Sequence, residues 1–356
     1  MHIESFDPQT ASDAEWRALN AFDNRDQIEL WPDDPPVSMT RTHRRALRPQ
    51  FLVQEYWAAW NEGDTEIIGL ADARYWLAEH NQHLVMFSLA VLPAFRCQGI
   101  GRQFLARIVE SARRAGRTDL LDWAATGAAG ATGFARAVGA KEGILSSTNQ
   151  LDLRALDQGL MRAWLARAPE RASGFELGYW DDGYPEEAYA EMVHVLDAMN
   201  DAPRDEIVED EKWNEAQLRA YDTLIKSEGT VRWTAHVREK SSGRIAGYSE
   251  VFWNADRPTI LYQGDTGVLP AYRNLGLGRW LKAAMILRIL AERPDVRFVR
   301  TGNADSNAPM LGINYTMGFQ PYRSWTGWQL TVDQAEQYLA ARSVGREALP
   351  LRMAGG

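Results

Sequence analysis

Two stretches decide the reading: Val91-Leu-Pro-Ala-Phe-Arg-Cys-Gln-Gly-Ile-Gly-Arg102 and Val268-Leu-Pro-Ala-Tyr-Arg-Asn-Leu-Gly-Leu-Gly-Arg279. Eight of the twelve positions are identical, and the two stretches stand 177 residues apart. Nearly the same spacing recurs on either side. Gly69 in Ile67-Ile-Gly-Leu-Ala-Asp72 matches Gly247 in Ile245-Ala-Gly-Tyr-Ser-Glu250 at 178, and Gln150-Leu151 matches Gln329-Leu330 at 179. Ordered matches at nearly constant spacing point to a duplicated unit of half the 356-residue chain. The expected division is 1–168 and 175–343, with 169–174 as a Pro- and Gly-containing linker and 344–356 as a tail.

Outward from the glycine turns, each half shows the same order of elements. In the first half Ser12 and Glu15 form a capping-box start, and Trp16, Leu19 and Phe22 follow at helical spacing. Phe51–Trp60, Ile67–Trp76 and His83–Leu92 read as an antiparallel meander. Ile100, Phe104, Ile108 and Ala112 then repeat with helical period before a strand at Asp119–Ala124. The second half repeats this with Trp233–Val237, Ile245–Trp253, Thr259–Leu269, a helix from Leu277 to about Leu290, and Val296–Thr301. The expected class is α/β (α+β): in each half a mixed, mostly antiparallel sheet flanked by helices.

Composition narrows the function classes. Hydrophobic residues make up 45% and aromatic residues 10%, enough for a core in each half. A net charge of -9 argues against broad nucleic-acid binding. The single cysteine, Cys97, excludes an internal disulfide framework and a multi-cysteine metal site. The N-terminal residues lack a signal-peptide pattern and the best apolar run, Trp280–Leu290, is too short to span a bilayer, so a cytoplasmic protein is expected.

The turn itself suggests the chemistry. A strand, then Arg-x-x-Gly-x-Gly, then a helix presents free backbone N–H groups at a helix N-terminus, which is an anion cradle. A dinucleotide fold is excluded because the third glycine is missing: Phe104 and Leu281 stand in its place. No Gly-Lys-Ser/Thr follows, which excludes a Walker loop.

With Arg96, Gly99 and Gly101 in one half and Arg273, Gly276 and Gly278 in the other, the sequence resembles the GNAT superfamily of acyl-CoA-dependent N-acetyltransferases. Its tandem arrangement is similar to acetyltransferases of the mycothiol synthase type. The resemblance implies two tandem GNAT folds with acetyl-CoA (CoA) as acyl donor, held in one or both halves. The implied contacts are Val91, Leu92, Arg96, Gln98, Gly99, Ile100, Gly101 and Arg102, and in the second half Val268, Leu269, Arg273, Asn274, Leu275, Gly276, Leu277, Gly278 and Arg279. Asn303 and Asn307 are implied contacts to the pantetheine arm. Where the family carries a tyrosine acid, four residues before Gly318, this chain has Asn314, with Tyr315 next to it. The first half has neither that Asn nor a Tyr in Thr132–Gly139, so the second half is expected to be catalytic and the first degenerate or cofactor-binding only.

The expected reaction is acetyl transfer to a primary amine of a small molecule, with no metal, in a monomer or homodimer. A carboxylate acting directly or through water would take the amine proton. Glu250 is the first candidate, because Asp72 is its repeat counterpart, and Asp265 the second. Asn314 either donates to the leaving thiolate or caps a turn. Tyr262 is read as a core residue and a reserve candidate. His80 and His83 read as turn residues. The acidic run from Glu186 to Glu211 is either a solvated face or a lure for a cationic amine, and Trp213, Tyr221, Trp233, Trp253 and Trp325 either wall a pocket or pack a core. Three alternatives stand beside this reading: a non-catalytic acyl-CoA sensor, acetylation of a thiol-sugar amine, and a reversal of the copies with the first one active.

Overall fold

A computed structural model describes residues 1–47 and 50–347 of the chain. After strand β1 (His2–Phe6), helix α1 (Asp13–Leu30) begins where the sequence places it. Ser12 accepts from the Glu15 N–H at 3.3 Å while Glu15 accepts from the Ser12 N–H at 2.7 Å. Its expected apolar stripe is inside: Trp16, Leu19 and Phe22 are all buried. A short helix α2 (Met39–His43) leads to the meander β2 (Leu52–Trp60), β3 (Ile67–Trp76) and β4 (Leu84–Val91). These strands lie within a residue of the expected bounds. The glycine turn, helix α3 (Ile100–Arg114), β5 (Asp119–Ala125), α4 (Ala129–Ala137), β6 (Lys141–Asp152) and α5 (Gln158–Arg171) complete the first copy.

The second copy follows the same plan. It comprises β7 (Phe175–Asp181), α6 (Tyr189–Leu196), α7 (Glu215–Ser227), β8 (Thr230–Glu239), β9 (Ile245–Asn254), β10 (Ile260–Val268), α8 (Leu277–Glu292), β11 (Phe298–Ala304), α9 (Ala308–Met317), β12 (Gln320–Thr331) and α10 (Val332–Glu347). Residues 169–171, expected in the linker, are the last turn of α5. Of the expected tail, 344–347 belong to α10, and 348–356 lie outside the described residues. Among the described residues no helix is long and apolar enough to cross a membrane.

All twelve strands form one sheet in the order β1-β2-β3-β4-β5-β12-β6-β11-β10-β9-β8-β7. The centre of that order is an exchange. The last strand of the second copy, β12, pairs with β5 of the first, and β6 of the first pairs with β11 of the second. The following helices cross with their strands. Leu153, Met161 and Ala168 pack in one core with Trp233, Leu281 and Ile286, whereas Leu330, Val332 and Ala335 pack with Phe104 and Ile108. The duplicated sequence units therefore differ from the packed units: each core takes its final strand and helix from the other copy.

In each copy the strand before the glycine turn runs parallel to the strand after it for three residue pairs and then parts from it. Met86 opposite Leu121 is the last pair in the first copy, and Tyr262 opposite Arg300 the last in the second. The parting opens a cleft, and the glycine turn lies at its mouth.

Candidate functional site

The two cradles share one backbone. Cys97 and Asn274 have φ of 61° and 65°, and Gly99 and Gly276 have φ of 87° and 83°. Two left-handed residues two apart aim the following N–H groups at one point, and Asn and Gly are residues that accept that conformation. The first turn-to-helix bonds are Gln103 N–H to Gly99 and Trp280 N–H to Gly276, so the N–H groups just before them have no partner within the helix. Ile100 and Leu277 are each 1% exposed, so only their backbone serves the cradle. At Gly101 and Gly278 an added Cβ would stand in ordinary contact with a neighbouring side chain, 3.4 Å from Phe134 and 3.6 Å from Ile313.

Each cradle arginine is fixed twice in the same way. Arg96 Nε donates to the Val91 carbonyl at 2.8 Å and its terminal nitrogens to Glu29; Arg273 Nε donates to Val268 at 3.0 Å and its Nη2 to Asp201 at 2.6 Å. Convergent N–H groups, a helix N-terminus and a held arginine suit a diphosphate.

The copies part company beyond the cradle. In the first, a cavity of about 1230 Å³ runs from residues 96–102 past β4 to the face of α1. Its walls carry Asp26, Asp72 and Asp122. Asp72 is 7% exposed and accepts from Gln54 at 3.2 Å and from the Ser88 hydroxyl, with Arg74 Nε at 3.7 Å. Asp122 is the first residue of β5 beyond the last pair with β4, and burial, then the charge of Asp72, raises its pKa to about 7. Burial, with Glu29 and Asp23 nearby, raises Asp26 to about 6. Carboxyls poised in this range are suited to proton transfer at neutral pH.

In the second copy the expected catalytic groups are scattered. Glu250 is 5% exposed, and its Oε1 accepts from Tyr184 at 2.7 Å and Thr234 at 3.1 Å, with Arg232 Nε at 3.7 Å. It is the keystone of a buried polar cluster, with Arg232 paired to Asp222 at 2.5 Å and Tyr189 bonded to the same Asp222. Asn314 is fully buried; its side chain donates to Asn303 at 2.7 Å, and its backbone carbonyl accepts from the Phe319 N–H at 3.0 Å in the turn that ends α9. Asn307 is the N-cap of α9, accepting from the Met310 N–H at 3.3 Å. Tyr262, expected in the core, is 40% exposed, with its hydroxyl accepting from Arg257 at 2.6 Å.

Asp265 stands apart. A bulge in β10 sets three steps from Gln263 to Thr266 against two from Val251 to Ser249 on β9, which breaks the strict alternation assumed for this strand. Asp265 reaches solvent, yet its crowded setting, then Glu250 and Glu211, raises its pKa to about 7. The first copy has no such bulge: β3 and β4 stay in register from Gly69–Val91 to Arg74–Met86.

The acidic run is largely structural. Glu186 pairs with Arg219, Glu191 with Arg238, Glu206 with Lys141 and Asp210 with Arg204, while Asp205 is 3% exposed and accepts from the Ile144 N–H at 2.7 Å. Trp233 is a core residue, and Trp325 lines the first-copy cavity. Among the described residues no group of three or more His, Cys, Asp or Glu side chains is placed to hold a metal.

Sequence reasoning missed Asp26 and Asp122. Both carried a signal. Asp26 continues the buried stripe of Trp16, Leu19 and Phe22 where an apolar residue is due, and Asp122 interrupts Leu120-Leu121 and Trp123 inside a strand.

Residues 16–140 match the acetyltransferase (GNAT) family. No curated protein matches the chain. Among solved structures, a tandem GNAT protein from the clavulanic acid biosynthesis pathway superposes with a TM-score of 0.74 at 22% identity, over 93% of this chain and 98% of that one. A GCN5-related N-acetyltransferase from Sphaerobacter thermophilus gives 0.60 at 16% identity, over 93% and 95%. A glucosamine N-acetyltransferase region of a fungal multi-domain β-N-acetylglucosaminidase gives 0.64 at 14% identity, over 92% of this chain and 38% of that one. At these identities the likeness is one of fold.

Proposed function

We propose that this chain, a tandem GNAT fold whose N-terminal copy belongs to the acetyltransferase (GNAT) family, transfers an acetyl group from acetyl-CoA to a primary amine of a small molecule, in the N-terminal cavity. One observation carries this reading: a single cavity of about 1230 Å³ joins an intact anion cradle to carboxyls whose pKa values lie near neutrality. The volume is large enough for a nucleotide-bearing thioester and a small acceptor together.

Each group then has a task. The N–H groups of residues 98–102 and the α3 terminus bind the diphosphate, and the backbone of Leu89–Val91 along the open edge of β4 holds the pantetheine arm. Acetyl-CoA brings the activated acyl group. Asp122 takes the ammonium proton, directly or through water, because only the neutral amine is nucleophilic. Asp72, held by Ser88 and Gln54, stays fixed beside it and keeps the Asp122 carboxyl basic through its charge.

A second reading places the chemistry in the C-terminal copy. It is supported by the β10 bulge and the raised pKa of Asp265, with Glu250 and Asn314 then serving to build the walls.

Charge reversal at the two cradles separates these readings, since Arg102 and Arg279 are repeat-equivalent first-turn residues at positions where Glu suits the helix dipole. Thiol release from acetyl-CoA with an amine panel is expected to fall about tenfold or more in Arg102→Glu and to persist in Arg279→Glu. The reverse pattern would move the chemistry to the C-terminal copy. Acetyl-CoA binding by calorimetry with no thiol release for any amine would replace both readings with a sensor.

A further inference from the structure

Away from the cradle, the N-terminal cavity carries four carboxylates, Asp23, Asp26, Asp72 and Asp122, against three guanidinium groups, Arg45, Arg74 and Arg342. Two of the acids are occupied. Arg45 pairs with Asp23 at 2.5 Å, Thr42 also donates to Asp23, and Asp72 has Gln54, Ser88 and Arg74 around it. Asp26 on α1 and Asp122 on β5 remain, and among the described residues neither has a cation within ion-pair distance. The walls they stand on belong to different elements, so a ligand between them meets negative charge from two sides.

An independent feature marks the wall of this cavity as polar. Trp328, brought in on the exchanged strand β12, is 4% exposed and its indole N–H has no acceptor, although it lines the cavity and lies directly opposite Asp122 in the ladder. Arg74 Nε is likewise buried without a hydrogen-bond acceptor. Buried donors of this kind are normally satisfied, so this wall of the cavity keeps unused hydrogen-bonding capacity.

We propose that the acceptor is a small molecule with two basic nitrogens: the one beside Asp122 is acylated, and the other stays charged and is held by Asp26. This rests on the N-terminal cavity being the acyl-transfer site. In the step itself the ammonium beside Asp122 gives its proton to the carboxylate. The freed lone pair forms the C–N bond to the thioester carbonyl, the C–S bond breaks, and the second proton of the attacking nitrogen passes, directly or through water, to the leaving thiolate, giving a neutral amide and a free thiol. The second nitrogen keeps its charge throughout, so the product remains cationic at the Asp26 end.

The test compares 1,4-diaminobutane, 1-aminobutane and 4-aminobutanoate, read as thiol release from acetyl-CoA and, separately, as calorimetric binding of each amine. The wild-type protein is expected to prefer the diamine over the monoamine by roughly tenfold in kcat/KM and to reject the amino acid, whose carboxylate meets Asp26. Asp26→Asn is expected to remove that preference by raising KM for the diamine, bringing its kcat/KM to that of 1-aminobutane in the same variant. Equal use of the two amines by the wild-type protein, or a preference that survives Asp26→Asn, overturns the proposal. If the diamine binds through Asp26 but no amine is turned over, the acyl-transfer reading falls while the ligand assignment stands; if it neither binds nor reacts, the assignment itself is overturned.

Discussion

The two copies agree in the cradle and differ in the cleft behind it. Their glycine turns superpose in φ to within 4°, and both arginines clasp the strand-end carbonyl and a carboxylate. Behind the turn, the first copy has an unbulged β4 and a wide cavity in which Asp26 and Asp122 have no ion-pair partner; the second has a bulged β10, and buried Lys282 stands where the first has Leu105. Duplication preserved the backbone conformation of the turn, with glycine at its second left-handed position in both copies and Cys97 or Asn274 at its first, and let side-chain chemistry drift. Even the straps that each copy lays on the other differ. Asp34 of the first copy forms a bidentate pair with buried Arg300, at 2.8 and 2.5 Å, whereas Asp205 of the second meets only an amide N–H and Gln329.

The comparison can be broken at its largest claim first. Asp122→Asn is expected to cut turnover by about 100-fold, and Asp265→Asn to leave it nearly intact; thiol release measures both, and the opposite result would exchange the roles of the copies. The same base sets a pH limb. Because Asp122 works as the carboxylate and its pKa is raised to about 7, kcat/KM should rise through pH 7 and level off above it, and the limb should vanish in the variant.

Next in size is the difference between the straps. Asp34→Ala strands a guanidinium that is 2% exposed, at a cost of about 3–5 kcal/mol. Asp205→Ala, which strands only neutral donors, should cost about 1–3 kcal/mol, both read from urea unfolding.

A smaller, opposite effect is expected at Lys282, which is 1% exposed and whose pKa burial lowers to about 7. The unfolded chain holds that proton up to about 10.5, so folding is penalised fully below about pH 7 and progressively less as pH rises to 10.5. Lys282→Leu, the residue of the first copy, should therefore raise Tm by about 5 °C at pH 7, with the gain shrinking toward pH 10.

Smallest of all, Cys97→Asn makes the first turn like the second. With φ of 61° it should change stability by less than about 0.5 kcal/mol and leave acetyl-CoA binding as it was.

Much of this was legible before any coordinates. The strands of both meanders follow from period-two patterns bounded by turns, and the cradles from glycines that a left-handed backbone requires. The candidate site was less legible, for a physical reason. The acids of the cavity come from α1, β3 and β5, and nothing local in any one segment says that it faces the others. Glu250 and Asp72 were paired correctly as repeat counterparts, yet the arginine beside Glu250 lies on β8 and its tyrosine before α6, so its burial in a polar cluster depends on segments that diverged. The crossing of β6 and β12 was invisible because the two strands descend from the same ancestor: either could pair with β5 or β11 by pattern alone.

That crossing also governs how the protein can be made. The Thr126 and Thr326 hydroxyls meet at 2.9 Å across the β5–β12 ladder, joining residues 200 positions apart. Until β12 is made, β5 lacks its native neighbour on that side, and its edge N–H and C=O groups are open to other partners. A chain that ends before β12 must therefore leave the β5 edge unpaired or pair it with β6 in place of the native partner.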